Sequence, residues 1–123
     1  MSDTSAIAAQ LVALCRQGQN LTAIETLYAP NIVSVEAMDM AGMPRVMEGV
    51  EAIKGKNIWW SENHTIHAAN VDGPFGHAPD RFAVLFDYDI TNKLSGERQQ
   101  MKEVGLFTVK AGKIVREEFF YGP

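Results

Sequence analysis

Glutamates recur inside the apolar runs of the stretch MKEVGLFTVKAGKIVREEFFY, Met101 to Tyr121. Glu103, Glu117 and Glu118 alternate there with Val, Leu, Phe and Ile, and Glu36 interrupts a second apolar run, NIVSVEA. A carboxyl group among apolar side chains holds its proton more tightly than one in water, which suits it to general acid or base work. The same group on a solvated strand face does no chemistry. The face each glutamate occupies therefore decides its role.

Turn length sets the faces of the C-terminal hairpin. A three-residue loop at Lys110-Ala111-Gly112 pairs Val109 with Lys113, Phe107 with Val115, Gly105 with Glu117 and Glu103 with Phe119. One face then carries Glu103, Gly105, Phe107, Glu117, Phe119 and Tyr121; the other carries Val104, Leu106, Ile114, Glu118 and Phe120. A two-residue turn at Ala111-Gly112 would instead bring Glu118 beside Glu103, because a one-residue slip turns a strand over. Neither face is purely polar, so the sheet should be covered on both sides. On the aromatic face the small Gly105 leaves room between larger side chains, which predicts a cavity. The alternative puts Glu103 and Glu117 near the sheet ends, hydrogen-bonded and partly solvated.

The elements that must position these residues follow from periodicity. Ile7, Leu11 and Leu14 recur at helical spacing after a Thr4 or Ser5 cap, with Gly18 as the stop. Asn20 or Thr22 opens a second helix, with Ile24, Leu27 and Tyr28 on its apolar face and Pro30 at its end. Asn31–Ala37 reads as a strand, Met38–Pro44 as a loop, and Val50 to about Asn63 as a third helix. Four strands follow: Thr65–Asp72 up to the break at Gly73-Pro74, then Arg81–Thr91, Arg98–Val109 and the last hairpin arm. In RFAVLFDYDIT, Phe82, Val84, Phe86, Tyr88 and Ile90 share one face. The class is α+β, a single domain over residues 1–123.

The chain carries a net charge of −4 and no run of Lys or Arg, which argues against nucleic-acid or anionic-membrane partners. Its first residues have neither a basic segment nor a long apolar one, so a cytoplasmic protein without signal peptide or membrane span is expected. The single Cys15 lies on an apolar helical stripe and reads as a buried structural thiol. GVEAIKGKN has five residues between its glycines and lacks Ser or Thr after the lysine, so it is not a phosphate loop. His64 and His67 fall on opposite faces of a strand entrance and have no cysteine partner, so no metal site is expected.

Three segments, YAPNIVSVE (Tyr28–Glu36), EGVEAIKGK (Glu48–Lys56) and VKAGKIVREEFFY (Val109–Tyr121), resemble in order the nuclear-transport-factor-2-like superfamily, particularly its SnoaL-like, polyketide cyclase-like branch. The resemblance implies a cystatin-like cone: a curved mixed sheet wrapped around three N-terminal helices, enclosing a mainly apolar pocket. It also implies homodimers that pair through the outer sheet face. Val104, Leu106, Ile114 and Phe120 are the apolar residues expected there. Relative to ketosteroid isomerases, Glu36 falls at the general-base aspartate, toward Phe86, Tyr88 and Tyr121. Gly105 falls where an oxyanion-hole acid would stand, and Leu11 or Val12 where its tyrosine would stand. With both donors missing, steroid isomerase chemistry is disfavoured. The parity of Val33, Val35 and Ala37 would by itself turn Glu36 outward.

The expected function is binding of an apolar or aromatic small molecule, with cofactor-free acid/base catalysis of the cyclase or isomerase kind. Glu36, Glu103 and Glu117 are the catalytic candidates. Trp60, His67, Phe86, Tyr88, Phe107, Phe119 and Tyr121 are the ligand-facing candidates, although His67 also reads as an ordinary surface histidine. Met38, Met40, Met43 and Met47 could form an adaptable lid or simply fill gaps. A non-catalytic ligand-binding protein and a protein-interaction module stay open beside the enzyme reading.

Overall fold

The computed structural model describes residues 3–40 and 42–122. Among them the order is α1 (Asp3–Arg16), α2 (Asn20–Leu27), β1 (Tyr28–Val35), β2 (Val46–Glu48), α3 (Val50–Glu62), β3 (His64–His77), β4 (Arg81–Asn92), β5 (Arg98–Lys110) and β6 (Lys113–Phe120). The α+β class and the three N-terminal helices agree with the sequence reading. The strands form one six-stranded sheet in the order β2-β1-β6-β5-β4-β3. Only the β1–β6 pair is parallel, so the sheet is mixed, and β6, late in sequence, lies near its middle. The sheet curls over the helices and stays open, with β2 and β3 as its edges.

The alternation of β4 sets the core. Phe82, Val84, Phe86, Tyr88 and Ile90 are all buried, packed against Ala8, Leu11, Val12 and Cys15 of α1 and Ile24 and Leu27 of α2. Phe82 stacks on its β5 neighbour Phe107, with ring centroids 5.1 Å apart.

Several local expectations change. α1 already includes Asp3, so Thr4 and Ser5 lie inside its first turn rather than at a cap. α2 stops at Leu27, and Pro30 sits exposed in β1, where pairing with β6 skips from Tyr28 to Val33. A residue without an N–H fits that unpaired stretch. Gly73-Pro74 interrupts register without ending β3, which runs on to His77.

The hairpin differs most. Lys110 pairs directly with Lys113, and both Ala111 (φ 53°) and Gly112 (φ 76°) are left-handed, as a two-residue type I′ turn requires. The three-residue loop is therefore incorrect. A shift between Thr108 and Val109 then makes Val115 an extra residue, so Phe107 opposes Glu117 and Gly105 opposes Phe119. The bulge restores the parity that the shorter turn would have reversed. Glu117 faces inward and Glu118 does not, as in the favoured reading, but by a different route. Ile114 is wholly buried rather than part of the outer face.

Candidate functional site

The sheet's concave side and the helices line an open cavity of about 640 Å³. The end of β1 brings Glu36 to its wall, α3 brings Lys56, β5 brings Glu103 and β6 brings Glu117, while the wholly buried Ser34 of β1 lies behind them against Lys56. Glu36, immediately after β1, is buried and turned inward, following the family register rather than the Val33–Val35 parity.

Four of these groups, Ser34, Glu36, Lys56 and Glu117, form one buried network. Lys56 Nζ donates to Glu36 Oε2 and to Ser34 Oγ, both at 2.8 Å. Ser34 Oγ in turn donates to Glu117 Oε2 at 2.6 Å, and the Tyr28 hydroxyl donates to Glu117 Oε1. The Tyr121 hydroxyl donates to Glu36 Oε1 at 3.0 Å, so both oxygens of Glu36 are engaged. The ammonium also lies 5.7 Å from the Phe119 ring centroid. A buried ion pair of this kind persists only because each remaining lone pair and proton finds a partner.

Electrostatics separate the carboxyls. Glu117 is pushed up by burial, against the opposing pull of Lys56 and the two hydroxyls. Glu103 is raised to about 7, first by burial and then by the charges of Glu36 and Glu117. No hydrogen bond to the Glu103 carboxyl is formed by any described residue. It is thus the one carboxyl of the three that lines the cavity and has no hydrogen-bond partner. Tyr121, raised to about 12 by burial and the Glu36 charge, stays a donor. The Cys15 thiol is pushed up to about 12 by burial, which keeps it protonated and inert.

The aromatic wall includes Trp60, Phe86, Tyr88, Phe107, Phe119 and Tyr121. Trp60 meets Tyr88 edge-on at 6.2 Å, and Phe107 meets Phe119 edge-on at 6.2 Å. Gly105 contributes differently from the sequence expectation. A Cβ there would come within 2.8 Å of Phe107 Cε2 and 3.1 Å of Phe119 Cε1, so its missing side chain lets the rings meet and leaves no void. Met38 and Met40 line the cavity, and Met40 Sδ lies 3.6 Å from the Tyr121 hydroxyl.

His67 is not at the cavity. It is exposed, with Nε2 2.7 Å from Thr91 Oγ1, because the register shift between Ile66 and Ala68 turns it outward. His64 lines the cavity instead. Sequence reasoning also gave Lys56 no role in the site. The available signal was helical spacing: Ile53, Lys56 and Trp60 fall at i, i+3 and i+7 on one side of α3. Among the described residues no group of His, Cys, Asp or Glu could hold a metal ion, and no helix is long and apolar enough to cross a membrane.

The family model for the SnoaL-like domain matches residues 2–121. The chain belongs to the SnoaL-like family. No curated protein matches it in sequence. Among solved structures, this SnoaL-like domain is similar to a Mesorhizobium loti protein described both as a SnoaL-like polyketide cyclase and as a carbohydrate phosphatase. The two are 44% identical over 95% of this chain and 97% of that one, with a TM-score of 0.89. A nuclear-transport-factor-2-like protein from Burkholderia pseudomallei shares the fold at 18% identity and a TM-score of 0.75, over 99% of this chain and 92% of that chain. A Mycobacterium tuberculosis protein in complex with estradiol-17β-hemisuccinate does so at 17% identity and 0.72, over 99% and 95%. At such identities the likeness is one of fold.

Proposed function

We propose that this SnoaL-like domain binds an apolar or aromatic small molecule in its cavity and catalyses proton transfer on it without a cofactor, with Glu103 as the acid/base group. The carrying observation is that Glu36 and Glu117 have both oxygens engaged while no described residue hydrogen-bonds to Glu103. A group titrating at about 7 can take a proton and return it with little cost in either direction. The reaction class is enolisation: Glu103 accepts the proton α to a carbonyl and delivers it to the enolate at a second position. Lys56 has two of its three protons placed, leaving one for the charge that develops on the substrate oxygen. Glu36, the base that the family register suggests, becomes in this reading the carboxylate that holds Lys56 in position. The ligand-bound M. tuberculosis relative supports small-molecule binding in this fold.

Deuterium exchange α to the carbonyl of 2-tetralone, followed by NMR, tests the proposal. Exchange above buffer in the wild type and its loss in Glu103→Gln are expected. Binding without exchange in either protein would refute catalysis and leave a ligand-binding domain.

Dimerisation is part of the same proposal. Phe75, Leu106, Val104 and Phe120 lie on the outer sheet face, and Phe75 and Phe120 are 56% and 49% exposed. A second copy pairing the same face would bury them isologously.

A further inference from the structure

His64 opens β3 at the C-terminal end of α3, and its ring stacks on Trp60 with centroids 4.4 Å apart and planes 16° from parallel. Its Nδ1 lies 2.8 Å from the Trp60 carbonyl oxygen. A carbonyl only accepts, so Nδ1 must carry the proton of the neutral ring, and Nε2 is then a lone-pair acceptor. No described residue bonds to Nε2, and the half-buried ring lines the cavity. The stacking and the Nδ1 bond together fix both tautomer and orientation, as for a preorganised recognition group.

His64 also stands well away from the carboxyl cluster. It pairs with Asn92 on β4, whereas Glu103 lies opposite Phe86, six residues along that strand. Between them the Trp60 and Tyr88 rings form an apolar stretch of wall.

We infer that His64 Nε2 is a specificity-determining acceptor, and that the cavity takes a flat, elongated aromatic molecule with a hydroxyl or N–H donor at the end away from its carbonyl. The inference deepens the proposed function: the carbonyl end belongs to Glu103 and Lys56, the donor end to His64. The acceptor excludes ligands that bring an ether or carbonyl oxygen to that end, since Nε2 would then face a second acceptor with no proton between them.

Binding of 6-hydroxy-2-naphthaldehyde and 6-methoxy-2-naphthaldehyde, measured by calorimetric titration at about pH 8, tests this. The hydroxy compound should bind about five- to tenfold tighter than the methoxy compound, the worth of one hydrogen bond. His64→Phe keeps a ring on Trp60 and removes the nitrogen, so it should erase the preference while still binding the methoxy compound. Equal binding of the two probes by the wild type would overturn the inference and leave the cavity reading standing. Failure of both probes to bind would overturn both. A preference that persists in a folded His64→Phe would assign the donor to another group and overturn the role of His64.

Discussion

Replacing Glu103 by Gln should make the protein more stable, and only above a definite pH. The wild-type carboxyl moves from its ordinary 4.5 to about 7 on folding. A raised carboxyl binds its proton more tightly folded than unfolded. Its neutral form therefore contributes fully below about pH 4.5, and that contribution is lost as pH rises through about 7. About 2.5 pH units at 1.36 kcal/mol each give about 3 kcal/mol, and water reaching the carboxyl from the cavity reduces this to about 2 kcal/mol. Gln keeps the shape and cannot ionise. Urea unfolding from about pH 4.5 to 8.5 should show the two proteins equal at the acid end. By about pH 8 the variant should lead by about 2 kcal/mol, which corresponds to roughly 8 °C in Tm for a domain of this size. Parallel curves at every pH, or a less stable variant at pH 8, would refute the argument that the carboxyl is desolvated and unpaired.

Lys56→Met should cost about 3–5 kcal/mol by leaving Glu36 buried without its cation, and adding Glu36→Gln should recover most of that in denaturant melts. Phe107→Ala should lose about 3–5 kcal/mol because the ring is fully buried, while the half-buried Phe119→Ala should lose less in the same assay. Gly105→Ala should destabilise by about 1–3 kcal/mol by forcing the Phe107 and Phe119 rings apart, and neutrality in thermal melts would mean that they yield freely. Sedimentation at micromolar concentration should show a dimer that Phe120→Glu converts to monomer; a wild-type monomer sinks the outer-face interface.

The parts of the fold legible in the sequence are those where one local pattern decides. β4 alternates without interruption, so its five inward residues could be read directly. The hairpin could not, because two features cancel: the two-residue turn reverses parity and the extra Val115 reverses it again. An apolar β-branched residue in a strand carries no mark that it is a bulge. His67, open between a ligand-facing and a surface reading, is turned outward for the same reason, at the shift between Ile66 and Ala68. Lys56 stayed hidden because its burial depends on partners 20 and 22 residues away on another element. The carboxyls were visible as anomalies in apolar runs, but their division into engaged and unengaged groups belongs to the assembled cavity.

The position of β6 between β1 and β5 bears on how the protein is made. Until β6 has left the ribosome, β1 and β5 both present an open flank, and the N-terminal half has no strand joining it to β3, β4 and β5. Tyr28 and Ser34 would meanwhile wait for Glu117, which lies 89 and 83 residues further along the chain. The nascent chain thus carries the open flank of β1 through the making of α3, β3, β4 and β5, joined by that of β5 only just before β6 follows, and the sheet closes through long-range pairing made late. Chaperone demand should accordingly peak just before β6 emerges, and the cavity should exist only in the finished molecule.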